Sequence, residues 1–359
     1  MLPKNRFYLA LLYSYINPCH GSYIEVSDKI PVINNLVSIK IYFYVPVKNS
    51  GARVTVIDIY NDLISTINNL GLPWEVIISE ELPKTEVNYL ICFKSIPKKS
   101  VPGDPKLIML ICDQGEIFWD HLQKFDYIVA TSSKNFAKLL SLRNKNIFYI
   151  SESETTRNLD EGSVNLKRAP SSRPPSLLWH GGSYSLEALY ELKPILEDFA
   201  NFNEVSLIII SGADTAYKYN WGKLKVDHLP WSINAMLDSA KKSRLGIIPA
   251  RSGLRTSFLK PASRVRCLYS LGVPTIGDAR VPDVVEFMDK FGGPVAKNKD
   301  EWLNLIQTLW NSKKIDGLAM EGWKIVNNQF STLNTAKQWI NLLIHFECEI
   351  YLKELIIKK

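Results

Sequence analysis

Residues 259–278 read LKPASRVRCLYSLGVPTIGD, and this stretch decides how the rest of the chain is read. Pro261 suits the first turn of a helix, where its missing N–H leaves no bond unmade. Val265, Leu268 and Tyr269 then recur at helical spacing on one face, and Gly272 marks a stop before an apolar run. The reading is a helix over 261–271 followed by a strand over 273–276. Working outward, a strand over 245–249 precedes this unit and a helix over 281–290 follows it. Further back come a strand over 176–179, a turn at Gly181-Gly182-Ser183 and a helix over 186–199. Strands over 205–211 and 224–229 and a helix over 232–241 complete the approach. Beyond it helices dominate, over 300–311 and about 333–357.

The same alternation runs through the first half. Short apolar runs at 38–45, 75–79, 89–93, 106–112 and 127–130 suit strands buried on both faces, with helices expected over about 54–70, 116–124 and 134–142. Such alternation implies parallel sheets with crossover helices. Between the halves, residues 151–176 (SESETTRNLDEGSVNLKRAPSSRPPS) carry almost no large apolar side chain and end in Ser, Arg and Pro, as a linker does. The expected organisation is therefore an α/β protein of two Rossmann-like domains, 1–151 and 176–332, joined by a linker at 152–175. A final helix over 333–359 would pack back toward the first domain. A length of 359 residues agrees with two domains at roughly 150 residues each. Two such domains facing each other would leave a cleft at the carboxyl ends of their strands. Residues 1–37 stand outside the alternation.

Composition narrows the class. At 46% hydrophobic and 22% charged residues the chain has a real core, and its early apolar stretch, 7–16, is well short of the ~20 residues that span a bilayer. Collagen, coiled coil, disordered tail and integral membrane protein are excluded. Five cysteines with no C-x-x-C pair, and no Asn-x-Ser/Thr acceptor, point to a reducing compartment, the cytoplasm. The formal charge is +7, but residues 239–277 contain no acid and eight bases, so the rest of the chain sums to −1. One short basic region favours a local anionic ligand over nucleic acid, which usually meets a wide basic face.

The motifs that are missing matter as much. The chain has no G-x-G-x-x-G, no P-loop, no G-x-S-x-G, no H-E-x-x-H and no D-x-D, and its five histidines show no metal-ligand spacing. A diphosphate would have to be neutralised by side-chain cations and helix N-termini, with no metal expected. Lys260 and Arg264 lie four apart at the start of the expected helix. Two bases there oppose the helix dipole unless an anion sits with them, which makes the pair a candidate phosphate site. Any one of these bases alone would read as a solvated charge.

Three segments in order, GIIPA (246–250), LKPASRVRCLYSLGVPTIGD and VPDVVEF (281–287), resemble the donor-binding half of GT-B-fold glycosyltransferases. The resemblance covers residues 176–330 and includes the turn at 179–183 and LPWS at 229–232. The first half is similar only in its α/β layout, with Gly51 in the first strand–helix turn. The resemblance implies transfer of a sugar from a nucleotide-sugar donor to a hydroxyl acceptor (glycan, lipid-linked or small molecule) without a bound metal. It also implies roles. Lys260 and Arg264 would contact the donor diphosphate, and Gly181, Gly182 and Ser183 would let backbone approach the phosphates. Leu229, Pro230 and Trp231 would border the base, and Asp283 and Glu286 would lie near the donor's ribose or sugar. Ser263 stands where relatives often carry Asn, and Cys267 where many retaining members carry a ribose-binding Glu.

Several residues keep two readings. Gly181-Gly182 also fits a plain strand–helix turn, His180 fits loop packing, and Trp231 fits either core cover or base stacking. Asp113, after an apolar strand, is a general base for an inverting transfer or an N-cap paired with Glu116. Arg53 positions an anionic acceptor or merely flanks its turn. Lys94, Lys98, Lys99 and Lys106 form a solvated loop or a patch for anionic lipid at the inner face of a membrane. A non-catalytic nucleotide-sugar or glycan binder and a sugar-nucleotide epimerase are the alternatives to the transferase.

Overall fold

In the computed structural model, which describes residues 16–19, 23–26, 38–46, 57, 59–93, 95–97, 99–111, 121–131, 133–141, 146–251 and 255–357, the chain divides into two units. One is Met1–Thr155 with Thr332–Lys359, the other Thr156–Ser331.

The first unit carries β1 (Ile16–Cys19), β2 (Tyr23–Val26), β3 (Ile39–Tyr44), β4 (Trp74–Ser79), β5 (Tyr89–Phe93), β6 (Lys106–Ile111), β7 (Tyr127–Ala130) and β8 (Ile147–Tyr149). They form one sheet in the order β1-β2-β8-β7-β6-β5-β3-β4, parallel apart from the β1/β2 hairpin. Period-two alternation sends Ile41, Phe43, Ile91 and Leu110 to one face and Tyr42, Leu90, Cys92 and Met109 to the other. Both faces are apolar because both are covered. Helix α1 (Tyr60–Asn69) and the C-terminal helix Thr332–Ile357 cover the first. Trp339 meets Phe43 edge-on at 5.4 Å, Phe346 stacks on Tyr127 at 3.9 Å, and the Tyr89 hydroxyl donates to Glu347 Oε1 at 2.8 Å. Helix α2 (Lys134–Ser141) contacts β2, β7 and β8. The β1/β2 hairpin gives part of residues 1–37 a place, since β2 extends the sheet beyond β8. Where a helix was expected over 116–124, residues 121–124 form a 3-10 turn and 116–120 lie outside the described residues.

The second unit carries β9 (Ser176–His180), β10 (Ser206–Ser211), β11 (Tyr217–Trp221), β12 (Leu224–Pro230), β13 (Leu245–Ile247), β14 (Thr275–Asp278) and β15 (Val295–Ala296). Their order is β11-β12-β10-β9-β13-β14-β15, and all but β11 run parallel. Helices α3 (Thr156–Leu166), α4 (Leu186–Phe202), α5 (Ile233–Lys242), α6 (Ser263–Ser270), α7 (Pro282–Asp289), α8 (Lys299–Trp310) and α9 (Lys314–Gln329) complete it. Parallel pairing brings the carboxyl ends of β12, β10, β9, β13 and β14 to one edge.

The expected linker is not a linker. Residues 156–166 form α3, which lies on the end of α6: a Cβ on Gly162 would run into the Ser270 carbonyl, and Asn165 Nδ2 donates to the Leu271 carbonyl at 2.9 Å. Leu159 is buried, and its carbonyl accepts from Trp323 Nε1 at 3.0 Å. The helix docks through a glycine and polar side chains, so it needs few of the large apolar residues whose scarcity suggested a loop. Helix α6 is also shorter than expected. It begins at Ser263, after an Ala262 cap that offers no side-chain acceptor, and leaves Lys260 and Pro261 in the preceding loop.

Candidate functional site

The strand β9 ends in His180, and its next residue, Gly181, donates its N–H to the Ile210 carbonyl of β10 at 3.0 Å. A Cβ built on Gly181 would stand 2.8 Å from Arg264 Nη1 and 3.1 Å from the Trp179 ring. The glycine lets the guanidinium lie directly on the backbone, where a Cβ would push this flexible end aside. Arg264 Nη1 is buried and has no hydrogen-bond partner among the described residues. Burial lowers the pKa of this guanidinium, and the nearby Tyr184 hydroxyl works in the opposite direction. His180 holds the same residue from the other side. Its ring is buried and its Nε2 lies 3.0 Å from the Arg264 carbonyl; a carbonyl only accepts, so Nε2 carries the proton. Burial pushes His180 down to about 4, which keeps the ring neutral near neutral pH. Its role is packing and positioning.

Lys260 lies close by. Its ammonium is 6.0 Å from the centre of the Tyr184 ring, and its pKa is lowered by burial first, then by Arg264 and Arg251. The pair anticipated from spacing is thus brought together, though only Arg264 is on the helix.

The basic stretch 239–277 does not face this site as a block. Lys241 pairs with Glu161 at 3.3 Å. Arg244 donates to the Trp310 and Arg173 carbonyls at 3.3 and 2.9 Å, and Arg266 is buried over the Phe330 ring at 4.4 Å. These bases tie structure together, and the net charge of the segment overstates the charge at the edge.

The other anticipated residues spread along the edge. Gly182 and Ser183 follow Gly181, Ser183 opening a 3-10 turn into α4. Leu229 and Pro230 end β12, and the Trp231 N–H donates to the Ser211 carbonyl at 2.6 Å. The Trp231 side chain is half exposed, so it does not cover the core. Ser232 caps α5, accepting from the Ala235 N–H at 3.0 Å. Asp283 sits in the first turn of α7, just after β14, with Glu286 exposed further along. Asp113, Gly51 and Arg53 lie outside the described residues. So do Lys94 and Lys98; Lys99 is exposed, and Lys106 pairs with Asp126 at 3.3 Å.

Three features of this edge are legible only with strand order in hand. Tyr184 stands beside Gly182, where a Cβ would meet its ring at 2.6 Å. Asp278, buried at the end of β14, accepts from the Ala250 N–H at 2.9 Å and binds Arg280 through both oxygens. Arg251, in the loop after β13, pairs with Glu187 at 2.6 Å.

No protein-family model matches this sequence, and no curated protein sequence matches it either. Solved structures do. HepE of Anabaena, solved in complex with UDP and glucose, is 12% identical; the match covers 86% of this chain and 100% of that one at a TM-score of 0.57. Sucrose-phosphate synthase of Thermosynechococcus elongatus is 11% identical, with 86% and 99% covered and a TM-score of 0.57. An alpha-glucosyltransferase in complex with UDP and a 13-mer DNA is 10% identical, with 86% and 100% covered at 0.57. The fold is GT-B. At these identities the likeness establishes the architecture of GT-B and leaves the chemistry to the residues. Among the described residues, no group of three or more His, Cys, Asp or Glu is placed to hold a metal ion, and no helix is long and apolar enough to cross a membrane.

Proposed function

We propose that this GT-B chain is a glycosyltransferase that moves a sugar from a nucleotide-sugar donor to a hydroxyl acceptor, with Lys260 and Arg264 binding the donor diphosphate. One observation carries the reading: Arg264 Nη1 is buried, without a partner among the described residues, directly against the Gly181 backbone. A buried cation without a counter-charge is strongly unfavourable, and an anion seated on Gly181 would supply that charge. The unshielded start of α6 adds its dipole to the attraction.

Strand order supports a direction for the donor. Trp231 follows β12 and Asp283 follows β14, four strand spacings apart, or about 19 Å, with the Gly181–Arg264 contact on the middle strand. A nucleotide sugar laid along this edge has its diphosphate over the cations, its base toward Leu229–Trp231 and its sugar toward Asp283 and Glu286.

As the bond between the anomeric carbon and the β-phosphate oxygen breaks, negative charge grows on that oxygen. Lys260 and Arg264 stabilise it more in the transition state than in the ground state, which lowers the barrier. The acceptor hydroxyl oxygen forms the new bond to the anomeric carbon. Its proton goes to Asp113 in an inverting transfer, or to the departing phosphate oxygen in a retaining one. Two side-chain cations take the neutralising part that a divalent metal plays in D-x-D enzymes, so we read the transfer as metal-independent. Gly51 and Arg53 fall on the acceptor side, and the acceptor is a glycan, a lipid-linked sugar or a small molecule rather than nucleic acid. We assign the protein to the cytoplasm; the lysines at 94–106 read first as a solvated loop, and flotation with anionic lipid vesicles would reveal a peripheral membrane contact instead.

Calorimetry with UDP, GDP and their sugars tests the donor site. Lys260→Ala with Arg264→Ala should abolish nucleotide binding, and unchanged affinity would refute it. Undiminished transfer by Asp113→Asn would remove the base. Binding without turnover over a broad acceptor panel would favour a non-catalytic binder, and product formed from donor alone would reveal an epimerase.

A further inference from the structure

We propose that Arg251 is a third cation of this anion site and that Glu187 competes with the bound anion for it. The inference rests on the donor-site reading above.

Arg251 is carried by the loop that leaves β13, the strand next to β9, whose end bears Gly181. Its backbone is tied down from several sides. The Ala250 N–H donates to Asp278 Oδ2 at 2.9 Å, and the Ala250 carbonyl accepts from Arg280 Nη2. Arg280 is itself fixed to both oxygens of Asp278, at 2.9 and 2.7 Å. The Arg251 carbonyl accepts from Ser257 Oγ at 3.3 Å. With the main chain held this way, only the long side chain is free to choose a partner.

That side chain reaches Glu187 Oε2 at 2.6 Å, with the two groups 43% and 56% exposed. Glu187 lies in the first turn of α4, the helix that begins just after Gly181-Gly182 and the 3-10 turn of Ser183–Ser185. Arg251 also acts on the other cations, since it is one of the charges that lower the pKa of Lys260. Arg251 and Arg264 thus both act on Lys260, Arg264 lies on Gly181, and Glu187, six residues on from that glycine, is the acid paired to Arg251. A diphosphate places its charge on two phosphoryl groups and can meet more of these bases at once than a single phosphate ester of similar charge does. A half-exposed ion pair is weak and screened by water, so a desolvated diphosphate is the stronger partner for Arg251. Glu187 opposes the anion twice, by holding Arg251 and by repelling the phosphates.

The two roles separate in a double-mutant cycle on the full chain, with UDP and inorganic pyrophosphate as probes. Arg251→Ala should weaken both by about tenfold, and Glu187→Gln should tighten both by about fivefold. In the Arg251→Ala background the gain from Glu187→Gln should shrink to no more than about twofold, the residue of lost repulsion. Thermal midpoints should move little in all three variants, since both groups are exposed. If both single variants bind like the wild type, or if the gain from Glu187→Gln is undiminished without Arg251, the pair is only a surface staple and the inference fails. In that case UDP binding that still disappears in Lys260→Ala with Arg264→Ala leaves the donor site standing. If the wild type binds neither UDP nor pyrophosphate, the donor reading fails and takes this inference with it.

Discussion

Arg173 and Arg264 are both drawn into the second unit, and their surroundings could hardly differ more. Arg173 is 1% exposed and donates to four backbone carbonyls: Asn165 at 2.8 Å, Ser243 at 3.2 Å, and Ala240 and Arg168 at 3.4 Å. Those carbonyls belong to the ends of α3 and α5 and the residues just beyond, where the helix dipole is negative. Burial still pushes Arg173 down, to about 10, but it stays charged at neutral pH. Arg264 sits at the opposite pole, at the start of α6, with Nη1 unmatched among the described residues. The protein grips its main chain through His180 and leaves its charge unanswered. A cation at a helix C-terminus staples the fold; the one at this N-terminus holds no carbonyl among the described residues, as the proposed anion site requires.

Breaking the staple should have the largest effect. Arg173→Ala strands four carbonyls and opens a cavity, so urea denaturation should show a loss of about 4 kcal/mol, with UDP affinity of the folded fraction unchanged. A wild-type midpoint in this variant would show that Arg173 is no staple.

The grip on the Arg264 backbone comes next. His180 has a folded-state pKa of about 4 against an ordinary 6.5, so the unfolded chain takes up the proton first as pH falls. Its contribution is therefore complete above about 6.5 and drains away between there and about 4, worth up to about 3 kcal/mol. His228, lowered by its own burial, acts in the same direction. Stability measured against pH should slope less steeply across that window in His180→Asn, and an unchanged slope would contradict the burial argument.

Removing the waiting charge should behave in the opposite way to removing the staple. Arg264→Ala should cost about a hundredfold in UDP affinity while the thermal midpoint holds or rises, because a half-buried guanidinium with an unmatched Nη1 is gone. A falling midpoint with intact affinity would put Arg264 in the same class as Arg173. The smallest change is Gly181→Ala, whose Cβ would displace Arg264 Nη1 from 2.8 Å; UDP should bind about tenfold more weakly. Equal affinity would mean that the guanidinium is free to move aside.

Much of this architecture was legible because its signals are local. β5 and β7 match their apolar runs residue for residue, since a strand buried on both faces admits little else. The core stripe of α6, Val265, Leu268 and Tyr269, is buried as its spacing requires. Signals that depend on partners were not legible. α3 and α9 dock through small residues: Gly162 lies on the Ser270 carbonyl and Gly322 on the ring of Tyr269, and a hydrophobic pattern has no mark for either. β11 is an edge strand with Lys and Asn on alternate positions, and its aromatic face was missed. Spacing alone paired Lys260 with Arg264, whereas the approach of Arg251 to Glu187 shows only when β9 and β13 are known to be neighbours. The block of eight bases misled, because three of them, Lys241, Arg244 and Arg266, are spent on an acid, carbonyls and a ring elsewhere in the unit.

The C-terminal helix has a consequence for how the molecule is made. Residues 156–331 are one uninterrupted stretch, so the second unit has its whole core as soon as the ribosome has passed Ser331. The first unit is split across the message: its sheet is synthesised early, but Trp339 and Phe346, which cover Phe43, Tyr127 and Phe148, arrive last. The half of the protein translated first therefore has its core completed last, and a transcript stopped at codon 331 would yield a complete second unit trailing a sheet whose first face is covered only in part, by α1.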